Sequence, residues 1–204
     1  GRFDDPATAL AQARAMAAGA DFLDVGGEST RPGAAEVPAA DEIARVAPVI
    51  AAIRGAGVTT PISVDTRKAA VAGAALKAGA GIVNDVSALT FDPALASLVA
   101  RAQAPLILMH AQGTPATMQA DPRYGDVVAE VRDALAERLD AAIAAGVAEE
   151  REMLDPGIGF GKTPEQSIIA IARLNELQSF GLPLLVGASR KRFIAKISPT
   201  PPDR

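Results

Sequence analysis

Polarity along the chain repeats one unit: a short apolar run, a polar residue at its end, a loop, then an Ala-rich stretch of helical period. The runs are Phe22–Val25, Pro61–Asp65, Ile82–Val86, Pro105–His110, Met153–Asp155 and Pro183–Ser189, which predict six strands. Pro61, Pro105 and Pro183 open theirs, a position where a strand tolerates proline. Helix starts are signalled by an acid before a proline at Asp92-Pro93 and Asp121-Pro122. Thr163 to Gln166 has the spacing of a capping box. The stretch 67–79 ends on Gly79, a helix stop. Strands alternating with helices, without a linker or a shift in composition, predict one domain with a parallel sheet and right-handed crossovers.

Such a sheet either closes into an eight-stranded barrel or stays open and doubly wound. Asp24, Asp65, Asn84, His110, Asp155 and Ser189 all end apolar runs. A barrel gathers all those ends on one face, whereas an open sheet gathers only those near its switch point. The pattern therefore favours the barrel. Six strands fall two short, so one strand is expected to be absent at each end.

Composition narrows the function classes. Of 204 residues, 49% are hydrophobic and 22% charged, with no Trp and one Tyr, which suits aliphatic helices packed on a buried sheet. No run approaches the ~18 apolar residues of a membrane span, so no membrane partner is expected. The absence of Cys excludes disulfides, thiolate zinc sites and a cysteine nucleophile, and fits a cytoplasmic protein. His110 is the single histidine, which leaves no basis for a zinc site. A net charge of −4 argues against nucleic acid as a partner.

Four loops hold the candidate chemistry. In 24–34 (DVGGESTRPGA), Ser29, Thr30 and Arg31 offer hydroxyls and a guanidinium between glycines and Pro32. This is either a mobile anion-binding loop or an ordinary turn. In 63–68 and 83–86, Asp65 and Asn84 end consecutive strands and together could read a heterocycle edge with donors and acceptors. Helix capping by Asp65 or Thr66 is the competing reading, and Asp85 reads as a capping residue. In 155–164 (DPGIGFGKTP), Asp155 precedes three alternating glycines that match neither a Walker A loop nor a dinucleotide fingerprint. They would let backbone lie against a flat ligand walled by Phe160, or merely make a tight turn, with Lys162 on the surface. In 187–192 (GASRKR), a serine and three cations follow a strand, which suits an anionic ligand or a solvated basic run. His110 is a general base or, more commonly at such a place, a structural hydrogen-bonding group.

The ordered blocks DVGGESTRPGA, ISVDTRK, IVNDV, LMHAQGTPATMQ, LDPGIGFGKT and LVGASRKRF closely resemble the dihydropteroate synthase family of pterin-binding enzymes. The resemblance covers essentially the whole chain. It implies a (β/α)8 barrel, here lacking its first and last strands, so that residues 1–204 form a single pterin-binding domain incomplete at both ends. It implies condensation of 6-hydroxymethyl-7,8-dihydropterin diphosphate with 4-aminobenzoate, with Mg2+ as cofactor, sulfonamides as competitors and a homodimer. By motif, Asp65, Asn84, Met109, Asp155, Gly187 and Lys191 would hold the pterin. Thr30, Arg31, Pro32, Phe160 and Ser189 would serve the diphosphate and the aminobenzoate. Asp65, Lys191 and Arg31 would carry catalysis. The family's metal-binding Asn belongs to an N-terminal loop absent from this sequence, so no residue here is expected to ligate metal. Two rivals share the barrel. A methyltetrahydrofolate-type methyltransferase should lack the STRPG and SRK segments. A non-catalytic paralogue would be favoured by loss of Asp65, Asn84, Asp155 or Lys191, all of which are present.

Overall fold

The computed structural model describes residues 6–31, 33–114 and 117–198. Their elements run α1 (Pro6–Ala17), β1 (Leu23–Gly26), α2 (Ala39–Gly55), β2 (Ile62–Asp65), α3 (Ala69–Ala78), β3 (Ile82–Asp85), α4 (Ala94–Ala102), β4 (Leu106–Met109), α5 (Val127–Ala144), β5 (Glu152–Asp155), α6 (Pro164–Ala172) and α7 (Arg192–Ile197). All five strands are parallel and pair in sequence order, β1 to β5. A doubly wound sheet reverses its order at a switch point. This sheet never does, and its winding is that of a (β/α) barrel.

The sixth run forms no full strand. Leu184 bridges Leu154, with Leu154 N–H donating to Pro183 O at 3.0 Å and Leu185 N–H donating to Leu154 O at 2.9 Å. Pairing stops there, just before Gly187, which has no side chain to pack on a neighbouring strand.

Side chains alternate across the sheet. Leu23, Ile62, Val64, Val83, Leu106, Leu108 and Leu154 join Val46, Ile50 and Ile53 of α2 and Leu135 of α5 in one buried core. The opposite set, Asp24, Ser63, Asp65, Asn84, Ile107, Met109 and Asp155, faces the lumen. The two sets cannot exchange, because a one-residue slip would put the carboxylates into the helix layer. The register sets Asp65 beside Asn84 and Met109 beside Asp155.

The local signals fared unevenly. Thr163 caps α6 in a full capping box with Gln166. Gly79 ends α3 in the left-handed conformation, at φ 114°. Asp92 accepts from Ala94 N–H at 2.9 Å and so caps α4. Its other oxygen accepts from Ala69 N–H at 2.8 Å, which displaces Asp65 and Thr66 from capping α3. Asp121 starts no helix. Asp126 caps α5 instead, accepting from Val128 and Ala129. Residues 121–124 form no helix, and there the Gln112 side chain pairs with the Arg123 backbone through both its carbonyl and its amino group.

Candidate active site

The C-terminal strand ends and the loops after them form one face. Asp65 sits where β2 ends, and Gly26 on the neighbouring strand makes room for it: a Cβ there would lie 3.3 Å from Asp65 Cβ. Burial, then the nearby carboxylates of Asp24, Glu42, Asp85 and Glu28, hold the Asp65 pKa well above the usual range. Asp24 accepts from Ser63 Oγ at 2.5 Å and from the Asn84 side chain, so Asn84 is fixed in orientation. Asp85 points into the helix layer. It accepts from Ser87 N–H at 2.8 Å, Ser87 Oγ at 2.6 Å and Leu89 N–H at 2.7 Å. Those bonds support Ala88 and Leu89 at φ 48° and 65°, left-handed values that cost a side-chain-bearing residue energy. It is thus a turn-holding residue, in line with its sequence reading.

Asp155 is buried, and its Oδ1 accepts from Gly157 N–H at 2.7 Å. Burial raises its pKa to about 6, against the pull of that bond and of Lys162 and Lys191. Met109, its register partner, is 3% exposed and floors the same region.

Two of the three alternating glycines face the protein's own backbone, and Gly159 faces the Lys191 side chain. A Cβ on Gly157 would lie 1.8 Å from His110 O, and one on Gly161 would lie 2.5 Å from Gln112 O. The loop packs on the backbone after β4, and at φ 66° and 59° only glycine does so without strain. Tyr124 Oη donates to Gly161 O at 2.8 Å and Gln119 Nε2 to Gly159 O at 2.7 Å, clamping the loop from the other side.

Lys162 is not on the surface. It is 2% exposed, and its Nζ lies 2.8 Å from His110 Nδ1, 3.1 Å from Gly157 O and 3.2 Å from Phe160 O. Burial depresses its pKa to about 7 and, with the Lys162 charge, depresses that of His110 to about 3. His110 is therefore a neutral acceptor for Lys162, a structural role rather than that of a base.

Lys191 lies with Nζ 3.9 Å from the Phe160 ring centroid, a cation–π contact. Burial lowers its pKa, opposed by Asp155. Arg190 before it has φ 59°, a strained turn that returns Lys191 toward Phe160.

Two cavities open on this face. One of about 190 Å³ is lined by Thr30, Asp65, Arg67, Phe91 and Phe160 among others. The other, about 450 Å³, is lined by Thr30, Arg31, Phe160, Lys162, Ser189 and Lys191 among others. Thr30 and Phe160 stand in both walls. The structure thus brings together Asp65, Asn84, Met109 and Asp155 on strands, and Thr30, Arg31, Phe160, Ser189 and Lys191 on loops. Gly187 is exposed and no side or main chain crowds it within 4 Å of a notional Cβ. Pro32 lies outside the described residues.

The model of the pterin binding enzyme family matches residues 1–204. The chain belongs to the pterin-binding enzyme family. A dihydropteroate synthase from Synechocystis sp. is 47% identical over all of this pterin-binding chain and 71% of its own length. Among solved structures, the Yersinia pestis dihydropteroate synthase in a sulfonamide drug complex is 41% identical, with a TM-score of 0.93 over 99% of this chain and 73% of that one. The Xanthomonas albilineans dihydropteroate synthase with 4-aminobenzoic acid is 45% identical, with a TM-score of 0.86 over 94% of this chain and 67% of that one. The (β/α)8 barrel is the fold of this family, and the sequentially wound sheet is an arc of it.

Proposed function

We propose that this chain carries the dihydropteroate synthase reaction, joining 6-hydroxymethyl-7,8-dihydropterin diphosphate to 4-aminobenzoate. The observation that carries the reading is a division of the face into two parts. A fixed polar floor (Asp65, Asn84, Asp155) suits a flat heterocycle rich in N–H donors. A looser, cationic rim (Arg31, Arg190, Lys191) suits anionic groups. Relatives with the same fold are held with a sulfonamide drug and with 4-aminobenzoic acid, which supports the aminobenzoate as a substrate here.

In that reaction the aniline nitrogen attacks the pterin methylene carbon. The C–N bond forms, the C–O bond to diphosphate breaks, and the nitrogen sheds one proton. Asp155, and Asp65 in its ionised form, accept from the pterin N–H groups and oppose positive charge developing at the methylene, charge that in turn favours ionisation of Asp65. Arg31 neutralises the departing diphosphate, with Thr30 donating beside it. Lys191 lies between the two parts, flat on Phe160, while Phe160 and Ser189 wall the aminobenzoate. The amine is already a neutral nucleophile, so positioning and charge stabilisation suffice without a strong base. Among the described residues no group of three or more His, Asp or Glu could hold a metal by itself. Mg2+ would accompany the diphosphate oxygens, which bind it at phosphate sites generally. The same reading makes residues 1–204 one pterin-binding domain of a cytoplasmic homodimer with sulfonamides as competitors.

Calorimetric titration of the full-length protein tests this. A dihydropterin diphosphate analogue should bind first and 4-aminobenzoate only afterwards, in the presence of diphosphate and Mg2+. Pterin binding indifferent to diphosphate would point to a methyltransferase, and no pterin binding would sink both.

A further inference from the structure

We propose that Glu28 is a positioning residue that closes the neck of the loop bearing Thr30 and Arg31 and ties that neck to the segment joining β2 and α3. The inference rests on the synthase reading for its kinetic test, though not for its geometry.

Glu28 Oε2 accepts from Val37 N–H at 3.1 Å, nine residues along the chain. The segment 29–36 therefore leaves and returns at one point. The same carboxylate accepts from Arg67 Nε at 3.1 Å and Arg67 Nη2 at 2.7 Å through Oε1, and from Lys68 Nζ through Oε2. The partners are largely shielded: side-chain exposure is 9% for Glu28, 14% for Arg67 and 8% for Lys68. Such a multiply bonded ionic contact is shielded from the screening that makes surface pairs weak. Burial alone would push the Glu28 pKa up; Lys68, Val37 N–H and Arg67 outweigh it and hold the carboxyl below its usual range.

The anchors are themselves immobilised. The Arg67 guanidinium lies 3.8 Å from the centroid of the Phe91 ring. Lys68 Nζ donates also to Glu42 Oε2 at 2.7 Å, and Glu42 is 1% exposed. Arg67 follows Asp65 by two residues, so the neck is bolted to the strand end that offers the pterin contact. Inside the loop, among the described residues, Arg31 N–H donates to Ser29 Oγ at 3.4 Å and Ala34 N–H to Arg31 O at 3.1 Å, neither of them an ionic contact. A fixed neck with a lightly tied tip brings Thr30 and Arg31 back to one place over the cavity each time the tip moves.

The test compares full-length wild type with Glu28→Gln, which keeps shape and the Val37 contact but removes the charge. Expected are a rise in KM for 4-aminobenzoate on the order of tenfold, with affinity for a dihydropterin diphosphate analogue within about twofold. Amide hydrogen exchange should quicken in 29–37 and stay unchanged in 62–65. Arg67→Lys, which retains a cation, should recover part of the KM difference relative to Arg67→Ala. Equal losses for both substrates alongside a lowered melting temperature would mean a merely structural role and overturn the proposal. So would unchanged exchange in 29–37. If wild type forms no dihydropteroate, the synthase reading falls, and the exchange comparison alone decides the neck.

Discussion

Replacing Lys162 by Met should change how stability depends on pH more than stability itself at any one pH. The ammonium is 2% exposed and held by three acceptors on two loops. Its pKa is about 7 when folded, against 10.5 for an ordinary lysine. Between those values the unfolded chain holds a proton that the folded chain has released. The unfolded state then binds more protons, so stability rises with pH. One proton over this window gives about 1.4 kcal/mol per pH unit, and about 2 kcal/mol between pH 7 and 9 once partial titration at pH 7 is counted. Methionine has similar length and no charge, so Lys162→Met should lack that rise. The assay is denaturant unfolding of both proteins at pH 6, 7, 8 and 9, taking the difference at each pH so that groups remote from Lys162 cancel; Asp155, whose pKa the Lys162 charge pulls down, shifts in the same sense. With no cysteine in the chain, alkaline thiol chemistry does not intrude. Wild type should gain on the variant by about 2 kcal/mol from pH 7 to 9. A difference that stays flat would refute the burial of a charge at this position.

Gly157→Ala would place a Cβ 1.8 Å from His110 O at φ 66°, and should cost about 3 kcal/mol or more, read as a lowered melting temperature or loss of soluble protein. Glu152 is 2% exposed, neither carboxylate oxygen has a hydrogen-bond partner among the described residues, and burial and then Glu149 raise its pKa to about 8. The folded state therefore holds a proton that the unfolded state gives up from pH 4.5 to 8, and wild-type stability falls across that window. Glu152→Gln should stabilise the protein at pH 8 and much less at pH 5; a larger gain at pH 5 would contradict this. Asp155 takes up a proton near pH 6, so affinity for a dihydropterin diphosphate analogue should fall as pH drops below 6, by up to about tenfold per unit. Asp155→Asn should flatten that profile, and calorimetry from pH 5 to 8 decides it.

What the sequence revealed divides by distance along the chain. The Thr163 capping box and the Gly79 stop are bonds within four residues, and residue identity suffices to foresee them. Asp65 and Asn84 end consecutive apolar runs, so their adjacency followed from the parallel winding alone. Lys162 escaped because its burial depends on His110, 52 residues earlier, and on a loop whose shape no local pattern dictates. One signal did exist: a lone histidine ending a buried strand needs a polar partner. Glu28 escaped for the same reason, since Arg67 lies 39 residues on. The alternating glycines were seen, but not the neighbours they have within the chain. Gly157 and Gly161 accommodate the backbone at His110 and Gln112, which only the folded chain brings near.

Sequential strand order also bears on how the chain comes to be folded. Every pairing among the five described strands joins a strand to the next one made, so within this arc no early strand waits for a late one to be inserted between it and its neighbour. The spans differ: Ser63 meets Ile82 after 19 residues and Val83 meets Leu106 after 23, but Leu23 meets Ile62 after 39 and Leu106 meets Glu152 after 46. Closing the shorter spans costs less chain entropy. The β2–β3–β4 ribbon is thus the cheapest seed, and a nascent chain could assemble it before β5 is synthesised. Asp65 and Asn84 lie within that seed, so this pair would take its positions among the first long-range contacts of the growing protein, with the loops beyond the strand ends added around it afterwards.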